Sequence, residues 1–176
     1  APRRERVTPT MPRTIVITGA SDGVGAAAAR QLHAVGEHVV VVGRNPDKTR
    51  GVAGGIGAPW HVADYADLDQ VRQLAATLLD RYERIDVLAN NAGGIFAGRT
   101  LTRDGFETTF QVNHLGGFLL TNLLLERLLA SGASVIQTSS AAARSFARFD
   151  IDDLQGERRF SSRTAYGNGK LANILF

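Results

Sequence analysis

Short, continuously apolar runs recur along this chain and predict the strands of a buried sheet. TIVITG (14–19) and HVVVVG (38–43) are rich in β-branched residues. Weaker candidates are WHVA (60–63), IDVLA (85–89) and SVIQTS (134–139). Because strands that are covered on both faces carry few polar residues, we expect all of these runs to lie inside the molecule.

Longer segments with helical periodicity separate these runs. They lie near 24–35, 67–82 and 104–130, and a last one begins near 161. The glycine-rich segment GVAGGIGA (51–58) is predicted to be a loop. Strands that alternate with helices predict parallel crossover units, and hence an open, doubly wound parallel sheet. The predicted fold is therefore α/β and Rossmann-like, with three αβα layers.

The composition is that of a single globular domain. The chain has 176 residues, of which 44% are hydrophobic and 21% charged. The absence of cysteine excludes disulfides and thiolate metal sites, and the four histidines are scattered, so no metal site is expected. The apolar stretch FLLTNLLLERLLA (118–130) is too short to span a membrane. No signal peptide is visible, and a cytoplasmic protein is expected.

The first residues differ from the rest of the chain in their charge and proline content. Up to residue 13, four arginines face one glutamate, a balance of +3 that equals the net charge of the whole chain. We therefore predict a flexible basic tail over 1–12 and a charge-balanced domain over 13–176. Because no basic stripe lies on a folded element, nucleic acid is not expected as a partner.

The segment TGASDGVG (18–25) directly follows the first predicted strand and opens the first helix. There Gly19 permits a tight turn, Gly23 lets a ligand approach the backbone, and Gly25 lets the helix pack on the strand. The first amides of a helix lack intrahelical partners and attract an anion, most naturally a pyrophosphate. An ordinary strand-to-helix turn is the alternative. The predicted dinucleotide site is lined by Gly19, Ser21, Asp22, Gly23, Val24 and Gly25.

Arg44 follows the second strand, at the end where NAD-binding sheets carry an acidic residue for the ribose 2′-hydroxyl. A guanidinium group instead suits a 2′-phosphate, through paired charge-assisted hydrogen bonds. This residue predicts NADP(H) in preference to NAD(H). The alternative is an ordinary solvated arginine on the surface.

Two further strand ends carry residues suited to the rest of such a cofactor. Asp64 follows the third strand and can accept a hydrogen bond from an adenine amino group. After the fourth strand, Asn90 and Asn91 of ANNAGG (89–94) can tie neighbouring strand ends together. Each feature alone fits turn chemistry, but all lie where ligands bind to parallel sheets. The predicted contacts are Asp64, Tyr65, Asn91, Ala92 and Gly93.

Tyr166 and Lys170 stand four residues apart in AYGNGKLANILF (165–176), at the start of the last predicted helix. That spacing places both side chains on one helical face. An ammonium group beside a phenol favours the ionised phenolate, so the pair can transfer a proton near neutral pH.

The motifs follow the order found in the short-chain dehydrogenase/reductases. TGASDGVG, NNAG, VNHLGGF, TSS and YGNGK resemble that family's motifs, and the resemblance runs from about residue 13 to the last residue. The stretch DIDDLQGERRFSSRTAYGNGKLANILF looks like the retinol-dehydrogenase-like branch, which includes the WW-domain oxidoreductases. The resemblance implies an NADP(H)-dependent oxidoreductase that transfers a hydride between nicotinamide and a small carbonyl or alcohol substrate.

The resemblance also implies roles for individual residues. Tyr166 matches the general acid/base, and Lys170 matches the residue that assists it and binds the nicotinamide ribose, so both are also predicted cofactor contacts. Ser140, the second serine of TSS, matches the residue that holds the substrate oxygen. Asn113 matches the asparagine that positions a water in the proton relay. For Ser140 and Asn113 the alternatives are a capping hydroxyl and a polar interruption in a helix.

Three departures from the family pattern set further expectations. Gly169 replaces the usual serine before the lysine, and with Gly167 it predicts a less rigid Tyr166–Lys170 geometry. Tyr65 replaces a usual aliphatic residue and predicts an altered adenine pocket. Family members continue past residue 176, so we expect a sheet that lacks its last strands and an incomplete substrate site.

Two functional hypotheses follow from the sequence. The first is the oxidoreductase, and the second is a non-catalytic nucleotide-binding or interaction protein with a truncated dehydrogenase fold. A flavodoxin-like or methyltransferase domain is not favoured, because NNAG and the tyrosine–lysine pair occur together. The resemblance also implies a homo-oligomer, either a dimer or a tetramer, because in that family the two long helices usually pair between subunits. Leucines at helical spacing in LLLERLLASG (123–132) offer a surface for this contact. The alternative is a monomer that buries these leucines in its own core.

Overall fold

The computed structural model describes residues 11–176, and its centre is a five-stranded, all-parallel sheet. The sheet order is β3-β2-β1-β4-β5, so the chain winds outward from β1 in both directions. This confirms the predicted doubly wound α/β fold. The predicted basic tail falls mostly on residues 1–10, which lie outside the described residues. The strands are β1 Thr14–Ile17, β2 His38–Gly43, β3 Trp60–Val62, β4 Val87–Asn90 and β5 Ser134–Gln137.

Helices cover both faces of the sheet and connect its strands. Two short pieces depart from α-helical geometry, a π-helical turn over Gln111–Leu115 and a 3₁₀ turn over Ile151–Asp153. The α-helices are α1 Gly23–Ala34, α2 Pro46–Gly54, α3 Leu68–Arg81, α4 Thr108–Phe110, α5 Gly116–Leu123, α6 Leu125–Ser131, α7 Ala142–Ser145 and α8 Ser162–Leu175.

The sheet separates two hydrophobic layers, because successive side chains of a strand point to opposite faces. Ile15 and Ile17 of β1 lie with Val39 and Val41 of β2 in the layer that α1 and α2 cover. Val16 belongs to the other layer, which is filled by leucines from α3 and α5. Burial of these apolar faces holds the strand ends in place, and the strand ends carry the candidate site.

The prediction of a loop over 51–58 is wrong for its first half, since α2 continues to Gly54. Asn45 caps this helix, because its side chain accepts the backbone N–H of Lys48 at 2.9 Å, and Pro46 occupies the first turn. Val52 and Ala53 are buried against the sheet. A good cap and a buried face therefore outweigh the low helix propensity of glycine.

The prediction of one continuous helix over 104–130 is also wrong. The helix begins at Thr108, where the buried Glu107 carboxylate accepts the backbone N–H groups of Thr109 and Phe110, each at 2.8 Å. It passes through the π-helical turn and is interrupted again at Leu124, between α5 and α6. Just before that break, the Thr121 side chain donates to the Gly117 carbonyl four residues earlier, a bond that bends helices.

The expectation that every strand is covered on both faces fails at the sheet edges. Within the described residues β5 pairs only with β4, and its Val135 and Ile136 are 39% and 52% exposed. The opposite edge strand β3 exposes Trp60 and Val62. Burial on both faces holds for β1 and β2, at the centre of the sheet.

Candidate active site

The loop between β1 and α1 is shaped by glycines that leave no room for a side chain. A methyl group placed at Gly19 would lie 2.7 Å from the Ala92 Cα, and one at Gly25 would lie 2.5 Å from the Gly19 carbonyl oxygen. Gly19 and Gly23 also adopt left-handed φ angles of 63° and 52°. Gly23 faces open space, so the backbone at the start of α1 can be approached closely by a ligand.

A cavity of about 760 Å³ opens above this loop, at the carboxyl ends of β1, β2, β3 and β4. The start of α1 contributes unpaired amides, which suit a pyrophosphate, and the cavity has room for an extended dinucleotide. The residues present therefore fit a dinucleotide cofactor. Every predicted cofactor contact except Tyr166 and Lys170 lines this cavity. These residues are Gly19, Ser21, Asp22, Gly23, Val24, Gly25, Arg44, Asp64, Tyr65, Asn91, Ala92 and Gly93.

The far end of this cavity carries a cation that sequence reasoning missed. Lys48, in the first turn of α2, lines the cavity together with Arg44 and Asp22. Its Nζ donates to Asp22 Oδ2 at 2.9 Å. The signal was present in the sequence, because RNPDK places a second basic residue four positions after Arg44.

Asn91 joins the ends of β1 and β4, but the predicted similar role for Asn90 is wrong. The Asn91 amide donates to the carbonyls of Thr18 and Gly19, at 3.0 and 3.3 Å. The Asn90 side chain instead donates to the Thr121 hydroxyl of α5 at 2.8 Å, because it points to the opposite side of the strand.

Tyr65 fills a space that a glycine leaves open. A methyl group at Gly116 would lie 2.4 Å from the Tyr65 ring, so α5 can begin here only without a side chain. Tyr65 is buried, and burial raises the pKa of its phenol, which therefore stays neutral. The neighbouring Asp64 accepts the N–H of Ala66 with one carboxylate oxygen, at 2.9 Å.

Tyr166 and Lys170 lie on one face of α8, as their spacing predicts. The Lys170 Nζ lies 5.6 Å from the centre of the Tyr166 ring. It also donates to the Thr138 carbonyl at the end of β5, at 3.0 Å. Lys170 is buried, and this desolvation lowers its pKa. The arrangement holds a cation beside a half-buried phenol.

Asn113 lies in the π-helical turn and connects it to the loop after β4. Its Nδ2 donates to the carbonyls of Gly94 and Thr109, each at 2.8 Å, and its Oδ1 accepts the N–H of Gly94 at 3.1 Å. Gly93 adjoins this amide and Lys170, since a methyl group there would lie 2.5 Å from Asn113 Oδ1 and 3.1 Å from Lys170 Nζ. The loop after β4 therefore lines the cavity and also adjoins two predicted catalytic residues, Asn113 and Lys170.

Asn173 is a second residue that the sequence analysis missed. Its Nδ2 donates to the backbone carbonyls of Asn113 and Thr138, at 3.0 and 3.3 Å. Both carbonyls accept hydrogen bonds, so the Asn173 amide nitrogen must face them and its Oδ1 must face His114. The Nδ1 of His114 lies 2.9 Å from this oxygen and donates to it. Burial lowers the pKa of His114. The only sequence signal for Asn173 is a polar residue inside the apolar segment LANILF.

The two serines at the end of β5 have different partners. The Ser139 hydroxyl donates to the Lys170 carbonyl at 2.7 Å, which ties the strand end to α8. The Ser140 hydroxyl oxygen accepts the N–H of Ala142 at 3.2 Å. Since that bond uses a lone pair of the hydroxyl oxygen, the Ser140 hydroxyl proton can still be donated.

The glycines around Tyr166 are explained by close packing. A methyl group at Gly167 would lie 2.7 Å from the Ala147 nitrogen and 2.9 Å from the Ala142 carbonyl oxygen, so α7 lies directly against α8. At Gly169 it would lie 3.1 Å from the Asn113 Cβ. The sequence predicted a looser helix from these residues, whereas the structure uses them to bring α8 close to α7 and to the π-helical turn.

Comparisons with known proteins identify the family of this chain. The family model described as short chain dehydrogenase matches residues 13–149. The chain is 52% identical over 170 residues to a Streptomyces sp. (strain C5) protein named "Putative daunorubicin C-13 ketoreductase DnrU", covering 93% of this chain. It is 39% identical over 172 residues to human retinol dehydrogenase 13, also covering 93% of this chain.

Solved structures give the same result for the fold. A metagenomic short-chain oxidoreductase in complex with NADP superimposes with a TM-score of 0.72 at 30% identity, covering 92% of this chain and 72% of that one. The chain spans 58% of the Streptomyces relative and 52% of the human one, about half the length of the curated relatives it matches.

We expect stability to depend on the absence of a side chain at Gly93, beside Asn113. Gly93→Ala should lower the free energy of unfolding by about 1–3 kcal/mol, because the new methyl group displaces an amide that makes three hydrogen bonds. Gly94→Ala is the matched control, since the nearest atom to its methyl group would be Phe96 Cε2 at 3.9 Å. Urea unfolding measures both variants. Equal stability of the two would contradict the packing described here.

Proposed function

This chain belongs to the short-chain dehydrogenase family, and from that membership we propose that it is an NADP(H)-dependent oxidoreductase acting on a small carbonyl or alcohol. The observation that carries the proposal is the Lys170 ammonium beside the Tyr166 ring, next to a cavity suited to a dinucleotide. The alternative is a protein that binds the nucleotide without turnover.

A nicotinamide cofactor held by the loop between β1 and α1 and by Arg44 would supply the hydride for a carbonyl carbon, or accept it from an alcohol carbon. In the reductive direction Tyr166 gives its phenolic proton to the carbonyl oxygen, and in the oxidative direction its phenolate takes that proton back. Ser140 donates a hydrogen bond to the same oxygen and stabilises the negative charge that develops on it. The proton therefore moves between one oxygen of the protein and one of the substrate.

Lys170 supports this proton transfer in two ways. Its positive charge favours the phenolate form of Tyr166, and its position beside Gly93 allows it to reach the ribose of a bound nicotinamide. The Thr138 carbonyl holds the ammonium in place. Because burial lowers the pKa of Lys170, the ammonium is lost at a lower pH than in free lysine, and the proposed activity should fall at alkaline pH.

Arg44 supports the preference for NADP(H). It lines the cavity at the end of β2. The segment GRN (43–45) at this strand end carries no acidic residue for a ribose 2′-hydroxyl. The solved structure of the metagenomic short-chain oxidoreductase, which is a complex with NADP, supports a cofactor of this type. A ketoreductase and a retinol dehydrogenase among the relatives support a carbonyl or alcohol substrate. No helix within residues 11–176 has the length and apolarity needed to span a membrane. The cytoplasmic location stays a prediction.

We expect Arg44→Ala to weaken NADPH binding by about tenfold, because one charge-assisted contact to the 2′-phosphate is lost. NADH affinity should hardly change, since NADH lacks that phosphate. Calorimetric titration of the wild type and the variant with both cofactors measures the ratio. An unchanged NADPH/NADH affinity ratio would refute the assignment of Arg44.

Replacing Tyr166 with Phe should lower kcat by about 10²–10⁴-fold while cofactor affinity changes little, because only the transferable proton is removed. Lys170→Ala should damage both turnover and cofactor binding. The assay follows NADPH absorbance with generic ketones and aldehydes. A near-native rate for Tyr166→Phe would exclude it as the general acid, and cofactor binding by a wild type without turnover would favour the non-catalytic alternative.

We also propose that the protein self-associates. Phe118, Leu125 and Leu129 are exposed on α5 and α6, and Ile174 and Leu175 are exposed on α8. An exposed apolar surface on these helices favours a two-fold contact with a second copy. Light scattering at micromolar concentration should give the mass of a dimer or tetramer. A monomer mass from folded protein would refute this prediction.

A further inference from the structure

The adenosine end of the cavity contains an ion pair that the proposed reaction does not use. Lys48 Nζ lies 2.9 Å from Asp22 Oδ2, and the two side chains are 61% and 76% exposed. Both residues line the cavity with Arg44, which follows β2. The lining therefore carries two cations, Lys48 and Arg44, and two carboxylates, Asp22 and Asp64. Arg44 marks the carboxyl end of β2, where sheets of this type bind the ribose of the cofactor.

Asp22 has a structural role that holds its carboxylate at this place. Its Oδ1 accepts the N–H of Gly23 at 2.8 Å and so caps α1. The hydrogen bond from Lys48, with that from Gly23, keeps the pKa of Asp22 below its ordinary value. The ionised carboxylate is therefore held at the start of α1, where it pairs with the first amide of the helix.

We propose that Lys48 is a second cation for the 2′-phosphate of NADP(H), and that Asp22 is a built-in carboxylate that holds Lys48 and weakens selection for that phosphate. The inference rests on the proposed function. It deepens that proposal by naming the residues that set the degree of preference between the two cofactors.

Because the ion pair is exposed, Lys48 can exchange its partner Asp22 for the 2′-phosphate. Exposed ion pairs contribute little stability, so Lys48 leaves Asp22 at small cost. A phosphate offers Lys48 more charge and more acceptor oxygens than the carboxylate does. Asp22 cannot follow, because its other oxygen caps α1, and its charge then stays near the phosphate and repels it.

The experiment compares two fragments of the cofactors, 2′,5′-ADP and 5′-AMP, by calorimetric titration at low salt. Lys48→Met should weaken 2′,5′-ADP binding by about threefold to tenfold and leave 5′-AMP unchanged. Asp22→Asn should strengthen 2′,5′-ADP binding by about threefold, because asparagine keeps the helix cap while the negative charge is removed. Both effects should shrink as salt is added.

Arg50→Met is the matched control for Lys48→Met. Arg50 lies on the same helix in a similar exposed pair with Asp47, but it does not line the cavity. Its replacement should leave the binding of both fragments unchanged. Equal losses for the Arg50 and Lys48 variants would mean that general charge is responsible, and that result would overturn the role of Lys48.

The outcomes separate this inference from the proposed function. If the wild type and Lys48→Met bind 2′,5′-ADP equally, or Asp22→Asn gains nothing, the inference is wrong while the preference for NADP(H) through Arg44 can still hold. If the wild type binds 2′,5′-ADP no better than 5′-AMP, the NADP(H) preference itself fails and the inference fails with it. Thermal unfolding of each variant verifies that the binding changes come from folded protein.

Discussion

The side-chain amide of Asn113 is the contact on which the arrangement of the site depends. It bonds to both backbone groups of Gly94 and to the Thr109 carbonyl, so it joins the loop after β4 to the π-helical turn. The backbone carbonyl of the same residue accepts from Asn173, which extends the connection to α8. Asn113 therefore connects the loop that lines the cavity to α8.

This connection requires very short distances, and glycines provide them. Gly93 and Gly169 lie on two sides of Asn113, and a methyl group at either position would come within 3.1 Å of it. Gly167 does the same for α7, and α7 follows Ser140 directly. The propensity cost of two glycines in one helix is offset by close packing of α8 against α7 and the π-helical turn.

Local signals explain what the sequence could predict. The central strands and the loop TGASDGVG were predictable, because continuous apolar runs and positive φ angles each require particular residue types. Spacing also placed Tyr166 and Lys170 on one helical face. The extent of α2 and the start of α4 were not predicted, since caps from Asn45 and Glu107 decide them against the local pattern.

Contacts between residues distant in sequence explain what was missed. Asn173 matters only because two backbone carbonyls, from a helix and a strand, converge on its amide. Lys48 matters because α2 brings it to the carboxylate that caps α1. Periodicity and short motifs do not predict such tertiary contacts, because these contacts depend on how the helices pack on the sheet.

The two lysines of the site show how burial determines what a cation can do. Lys170 is buried, its pKa is lowered by desolvation, and a carbonyl and a close-packed glycine fix its position. A fixed cation in a low-dielectric setting acts strongly on the one phenol beside it. Lys48 lines the same cavity but is exposed to solvent, so its ion pair with Asp22 is weak and readily exchanged. In the proposed function, the rigid charge of Lys170 lies beside the proton-transferring Tyr166, and the adaptable charge of Lys48 lies where the cofactor is selected.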